Sequence, residues 1–208
     1  MSGIALIDYR AGNLTSVRKA LAAVGADVFT PATPSDLPGA RGIIVPGVGH
    51  FGATRAIAAP WRDAIRDAVG RNVPLLGICL GLQYLFDASD EAPDVPGLGL
   101  LRGRCALLPR TVKVPHVGWN DLRFERPSTL LEGIADRTQV YFTHSYAAPV
   151  TDATSATAEH GARFAAVVER DRVFGVQFHP EKSGDAGLRV LRSFVHLTNS
   201  PTHQFTKC

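Results

Sequence analysis

Val73-Pro74-Leu75-Leu76-Gly77-Ile78-Cys79-Leu80-Gly81 carries an apolar run into a cysteine flanked by glycines, and a helical pattern follows. A buried strand turning sharply into a helix is the building unit of an α/β sheet. A nucleophile at such a turn stands exposed at the sheet edge, as in the Gly-x-Ser-x-Gly elbow, with sulfur here in place of oxygen. Gly77 and Gly81 remove side chains where the bend would crowd the backbone. The positive end of the helix favours thiolate at Cys79.

Outward from this turn, the N-terminal side repeats the same unit. Residues 4–7 form a short apolar run before Asp8. Leu14, Val17, Leu21 and Val24 then recur near helical period, with Asn13 as N-cap. Residues 27–30 read as a second strand, 31–38 as a loop, 42–45 as a third strand stopped by Pro46, and 61–69 as a helix. Strands alternating with helices predict a parallel sheet covered on both faces. From Gly97 the character changes: residues 98–108, 121–124, 139–142, 164–168 and 173–178 read as strands with short connections, which favours antiparallel pairing. Residues 184–198 close the pattern as a helix with Leu188, Leu191, Phe194 and Val195 on one stripe. The predicted fold is a single-domain, doubly wound mixed sheet over residues 1–198 with an antiparallel second half, and 199–208 as a tail.

The chain's 208 residues suffice for one domain with a substantial core. Its net charge is only +3, and its eighteen Arg and four Lys form no basic run, so nucleic acid is not an expected partner. Cys79, Cys105 and Cys208 form no Cys-x-x-Cys pair, which argues against a disulfide framework and for a reducing cytoplasm. No apolar run reaches membrane-spanning length, and residues 1–8 lack a basic segment before their apolar stretch. A soluble, unexported protein is expected.

The second decisive segment is Gln177-Phe178-His179-Pro180-Glu181. It ends an alternating strand, and residues two apart on a strand point to the same side, so His179 and Glu181 are expected to work as a pair. Alone, Cys79 has a rival reading as a small buried hydrophobe, though the motif favours function, and the His-Pro-Glu segment has one as a surface turn. Together they place a thiol, a base and a carboxylate at the carboxyl edge of one sheet, where α/β sites form. Pro46-Gly47-Val48-Gly49 ends the third strand at that same edge, and its glycines let N–H groups turn toward the thiol as oxyanion donors. His50 has no clear task. His116 and Trp119, in Pro115-His116-Val117-Gly118-Trp119-Asn120, read either as core groups or as a contact surface. The histidines show no paired ligand spacing, so neither metal nor cofactor is expected.

These residues resemble class I glutamine amidotransferases, over nearly the whole chain. The class pattern is Gly77-Ile78-Cys79-Leu80-Gly81-Leu82-Gln83 with Gln177-Phe178-His179-Pro180-Glu181. Asp8-Tyr9-Arg10-Ala11-Gly12-Asn13-Leu14, Pro115-His116-Val117-Gly118-Trp119-Asn120 and His144-Ser145-Tyr146 are similar to the glutaminase subunits of imidazole glycerol phosphate synthases. Arg10 departs from the smaller residues frequent at its position. The resemblance implies that Cys79 attacks the glutamine amide, His179 transfers protons and Glu181 orients His179. It implies further that Val48, Gly49 and Leu80 supply the oxyanion N–H groups, and that Gln83, His144, Ser145 and Tyr146 hold glutamine, with ordinary packing an alternative better supported for Tyr146 than for Gln83. It also implies a heterodimer in which ammonia passes to a (β/α)8-barrel cyclase subunit, Trp119 and Lys182 face that partner, and residues 46–49 rearrange to complete the oxyanion hole. A solvated surface lysine is an equal reading of Lys182. Rival readings on the same scaffold are a glutaminase of pyridoxal phosphate synthesis, a γ-glutamyl peptide hydrolase and a non-catalytic scaffold. The segments 8–14 and 115–120 argue against the first two, and the intact thiol, imidazole and carboxylate against the third.

Overall fold

The computed structural model describes residues 3–199. In chain order the elements are β1 (Ile4–Leu6), α1 (Leu14–Ala23), β2 (Val28–Phe29), β3 (Gly42–Val45), α2 (Ala59–Gly70), β4 (Leu75–Ile78), α3 (Leu80–Leu85), β5 (Ala88–Ser89), β6 (Arg104–Leu107), β7 (His116–Asp121), β8 (Arg123–Phe124), β9 (Gln139–His144), β10 (Tyr146–Ala147), β11 (Thr154–Glu159), β12 (Arg163–Arg170), β13 (Val173–Val176) and α4 (Gly184–Asn199). An eight-stranded sheet runs in the order β2-β1-β3-β4-β13-β12-β11-β8. It is parallel from β2 through β13 and antiparallel from β13 through β8. The expected mixed sheet with an antiparallel second half is therefore present.

Alternation along the parallel strands divides their side chains between two cores. Ile4, Leu6, Ile44, Leu76 and Ile78 pack with Val17 and Leu21 of α1 and Val190, Leu191 and Phe194 of α4. Ala5, Ile43, Val45 and Leu75 pack with Ile65 and Ala68 of α2 and Leu80 and Leu82 of α3. Strands buried on both faces require helices on both, which is why they read as unbroken apolar runs.

Four expectations need correction. The strand expected over 98–108 shrinks to β6, because the N–H groups of Leu98, Gly99, Leu100 and Leu101 donate to carbonyls of residues 84–86 and cap the end of α3. The strand expected over 121–124 is two pieces: β7 pairs with β9 in a separate ladder, and β8 joins the main sheet. Strand β11 was not anticipated, since its small residues, buried at five of six positions, show no alternation. Finally, β13 stops at Val176 and Pro180–Lys182 forms a 3-10 turn. Pro180 has no N–H to continue a ladder. Helix α4 runs to Asn199, the first residue of the expected tail over 199–208; the rest of that tail, with Cys208, lies outside the described residues.

The tight turn after β4 depends on two close approaches. A Cβ at Gly77 would clash with the backbone of Gly81 and Leu82, and one at Gly81 would overlap the Val45 carbonyl oxygen. Gly81→Ala is expected to cost about 3 kcal/mol, the upper end for overpacking. A lower urea midpoint at unchanged m would register it; a loss under about 1 kcal/mol would mean that α3 can shift away from β3.

Candidate active site

Cys79 leaves β4 with φ 53° and ψ −106°, a conformation strained for any residue with a side chain. It is held there from both sides. Its N–H donates to the Val176 carbonyl at 2.8 Å, and its carbonyl accepts from Gln83 N–H at 3.2 Å as α3 begins. Ile78 of β4 lies opposite Val176 of β13 in parallel register, so His179 emerges at the same sheet edge as Cys79.

The pair expected from strand alternation is formed instead by the turn. His179 Nδ1–H donates to Glu181 Oε1 at 2.8 Å, with both side chains only 2% exposed. Its N–H donates to the Tyr141 carbonyl at 2.9 Å. Its carbonyl accepts from Ser183 Oγ at 2.7 Å, and that oxygen accepts from Tyr141 N–H at 3.0 Å. Burial opposes a charge on His179, but the Cys79 sulfur and the Glu181 carboxylate outweigh it and lift the ring to about 9. His179 is an imidazolium at neutral pH. Its Nε2 is buried and meets no partner in ordinary hydrogen-bond geometry, although the neighbouring sulfur is among the causes of the raised ring value.

Cys79 is 4% exposed and borders a cleft of about 260 Å³. Gln177 Nε2 donates to its sulfur at 3.6 Å, and the sulfur lies 3.8 Å from the Thr143 carbonyl. Gln83, His144, Ser145 and Tyr146 all line the cleft, joined by Gly49 and Leu80. Gln83 Nε2 donates to the Tyr146 carbonyl at 2.7 Å and lies 3.3 Å from Gln177 Oε1. Both ring nitrogens of His144 are occupied within the protein, one by the Tyr146 carbonyl and one by His116. Any contact of His144 with a ligand falls to its ring face or backbone.

Of the expected oxyanion donors, Leu80 N–H points to the Gly47 carbonyl at 3.3 Å, so a carbonyl occupies its donor direction. Gly49 sits at φ 95°, while Val48 is exposed and does not line the cleft. Gly47 is pressed against Tyr9 Oη and Leu80, leaving no room for a Cβ. Trp119 and Lys182 come together on one surface through Tyr141. The Trp119 and Tyr141 rings meet edge to face at 6.1 Å, and Lys182 Nζ lies 5.7 Å from the centre of the Tyr141 ring. Val117 and Trp119, two apart on β7, are 56% and 55% exposed.

Sequence reasoning gave no role to Gln177, Thr143, Glu91 and Tyr141. A glutamine closing an otherwise apolar strand was a usable signal for Gln177. Glu91 had none: it lies on the loop after β5, lines the cleft and accepts from Phe51 N–H at 2.7 Å.

His144 and His116 add a measurable acid sensitivity. Burial, the larger cause in each, pushes His144 down to about 3 and His116 down to about 4. Both stay neutral in the fold and become charged on unfolding below the ordinary histidine value near 6.5. Stability contributed by a depressed pKa is present above that unfolded value and is lost as pH falls from about 6.5 toward 3 to 4. Unfolding is expected to take up about two protons near pH 5 from these rings, read from the slope of unfolding free energy against pH. A flat profile between pH 6.5 and 5 would mean that they are charged in the fold.

With this geometry in hand, comparison with known proteins identifies the class. Residues 5–197 match the family model "Glutamine amidotransferase class-I", and the chain belongs to that family. Solved structures agree on the fold. One titled "Crystal structure of glutamine amidotransferase" superposes with TM-score 0.75 at 20% identity, covering 95% of this chain and all of the other. PurLQS from Thermotoga maritima gives 0.73 at 21%, covering 93% and 97%. Within the class, the chain belongs with the imidazole glycerol phosphate synthase subunits HisH. It is 47% identical to that of Moorella thermoacetica over 95% of this chain and 96% of the relative. The Halobacterium salinarum subunit is likewise 47% identical over 93% of each chain. Among the described residues no helix is long and apolar enough to cross a membrane.

Proposed function

We propose that this chain is the glutaminase subunit of an imidazole glycerol phosphate synthase, working in the cytoplasm. The observation that carries the chemistry is the buried His179–Glu181 pair beside the strained Cys79 at the border of a polar cleft. The Cys79 thiolate attacks the side-chain amide carbon of L-glutamine, forming a C–S bond and a tetrahedral oxyanion. His179, already protonated, gives its Nε2 proton to the departing nitrogen, and ammonia leaves a thioester behind. The ring, now neutral, takes a proton from water, which attacks the thioester and releases glutamate and the thiolate. Glu181 fixes the tautomer throughout, because its carboxylate accepts from Nδ1–H.

Gln83, Ser145 and Tyr146 hold the substrate, and the Glu91 carboxylate supplies the charge that a substrate α-ammonium requires. For Leu80 N–H to reach the oxyanion, the Gly47 carbonyl must swing aside and residues 47–49 must turn their N–H groups inward. The positive φ of Gly49 supports this reading. The Val117–Trp119–Tyr141–Lys182 surface docks a (β/α)8-barrel cyclase subunit. That subunit joins the ammonia to a phosphoribulosyl-formimino carboxamide ribonucleotide, giving imidazole glycerol phosphate and an aminoimidazole carboxamide ribotide in histidine biosynthesis. Glutamate release measured with and without the cyclase subunit and its ribonucleotide tests the reading. Release is expected to require both and to vanish in Cys79→Ala. Release indifferent to both would move the chain to another amidotransferase or hydrolase activity, and no release under any condition would leave a scaffold.

A further inference from the structure

Strand β7 contributes two side chains that this chemistry does not use. His116 is 4% exposed and stacks on Phe142, 4.9 Å between ring centres, and on His160 at 4.2 Å. Its Nδ1 lies 3.2 Å from His144 Nε2, and its Nε2 lies 3.3 Å from Asn120 Nδ2. His144 Nδ1 lies 2.9 Å from the Tyr146 carbonyl.

The hydrogens in this row can be assigned by elimination. A carbonyl only accepts, so His144 Nδ1 carries its hydrogen. Both rings are neutral, so each has one N–H; His144 Nε2 must then accept, and His116 Nδ1 must donate. That leaves His116 Nε2 as an acceptor for the Asn120 amide. Asn120 is itself oriented, because Nδ2 also donates to the Glu159 carbonyl at 2.9 Å and Oδ1 accepts from Asp121 N–H at 2.9 Å. Every hydrogen in the row therefore points from Asn120 toward Tyr146. At that end the Tyr146 carbonyl also receives Gln83 Nε2, and the contacts continue through Gln177 to the Cys79 sulfur.

We propose that His116 is a positioning residue for glutamine binding: its Nδ1–H anchors the Nε2 of His144, and the His144 ring so held keeps the Tyr146 carbonyl where that carbonyl orients the Gln83 amide. The proposal rests on the cleft being the glutamine site. Without a donor from His116, the Nε2 of His144 is a buried acceptor with no partner, because Nδ1 keeps its hydrogen for the Tyr146 carbonyl. The ring then turns toward another donor, and its hold on the Tyr146 carbonyl loosens. The segment 145–146 and the Gln83 amide shift together, at the wall of the substrate cleft.

Histidine tautomers are read directly by long-range proton–nitrogen correlation spectra of the 15N-labelled chain. Both His116 and His144 are expected as Nδ1–H in the wild type. His116→Phe keeps a ring against Phe142 but removes the donor. In the complex with the cyclase subunit its KM for L-glutamine is expected to rise about tenfold, the effect of leaving one buried acceptor unpaired. Its kcat should stay within about threefold, and the His144 Nε2 resonance should shift as it loses its donor while the ring remains Nδ1–H. His116→Asn returns an N–H near the Nδ1 position and should bring KM back to within about threefold of wild type. Asn120→Ala, at the partly exposed outer end of the row, should shift KM the same way by about threefold and serves if His116→Phe does not fold. A wild-type His144 found as Nε2–H would overturn the proposal, as would an unchanged KM in the folded Phe variant or equal KM values for the Phe and Asn variants. A wild-type complex that releases no glutamate would instead refute the glutaminase reading, and the wild-type spectrum would still decide the tautomer assignment.

Discussion

Cys79→Gly is expected to melt above Cys79→Ala, and neither variant to hydrolyse glutamine. The nucleophile sits at φ 53°, ψ −106°, in the region where a side chain strains the backbone by about 1 to 3 kcal/mol and glycine does not. Against this relief stands the larger conformational freedom that glycine gives the unfolded chain, worth about 0.4 to 1 kcal/mol. Strain is the larger effect, so the net gain of Gly over Ala is about 1 kcal/mol, which for a domain of this size raises Tm by about 2 to 4 °C. Loss of the sulfur removes covalent catalysis altogether and lowers glutamate release by about 10⁴-fold or more. Cys79→Ala separates the two effects: it is equally inactive but retains the Cβ and most of the strain. Calorimetry on the three proteins checks this, and a Gly variant that melts below the Ala variant would show that the elbow is not strained.

Glu181→Gln is expected to lower kcat by about 10³- to 10⁴-fold, far more than the loss of one hydrogen bond alone. A carboxylate can only accept, so it enforces Nδ1–H on His179. An amide can present its own N–H to Nδ1, which moves the ring hydrogen to Nε2 and spoils the base for the second half-reaction. The pH profile carries a separate signature. His179 stands at about 9, supported by the Cys79 sulfur first and by Glu181 after it, against the opposing effect of burial. The alkaline limb of kcat/KM, which reports the free enzyme, is expected near pH 9 in the wild type and lower in Glu181→Gln. Stability follows the same linkage. A raised histidine pKa stabilises fully below the unfolded value near 6.5, and that stabilisation is lost as pH climbs through about 9. Between these values the unfolding free energy should fall with pH in the wild type and fall less in the variant. A Glu181→Gln enzyme with an unmoved alkaline limb would remove the carboxylate from this role.

What the sequence revealed of this architecture depended on how local the cause was. Strands β3 and β4 were legible to the residue, because Gly42-Ile43-Ile44-Val45 and Leu75-Leu76-Gly77-Ile78 are apolar throughout and end at Pro46 and at the glycine-flanked turn. The need for Gly77 and Gly81 was legible for the same reason. Segment 98–101 misled, because Leu98 and Leu101 are buried as a strand's residues would be while its N–H groups serve the end of α3, a partner some fifteen residues back that no periodicity encodes. Strand β11 was silent, since small residues buried on both faces leave no alternation. In the site, Cys79, His179 and Glu181 announced themselves by motif, but the pairing of the last two comes from the turn that Pro180 imposes. Glu91 reaches the cleft only through the packing of a loop.

The position of β13 between β4 and β12 also governs when this protein can exist as a folded object. The strand carrying the base docks beside the strand carrying the thiol, yet Gln177 lies 98 positions after Cys79. During synthesis the outer edge of β4 is therefore an open, apolar template until the last strand leaves the ribosome, and pairings between such distant segments form slowly. A chain interrupted before residue 173 lacks the strand that joins the parallel and antiparallel halves, so it exposes an adhesive sheet edge and carries no base. The nascent polypeptide covers its adhesive edge and brings His179 beside Cys79 in the same late event.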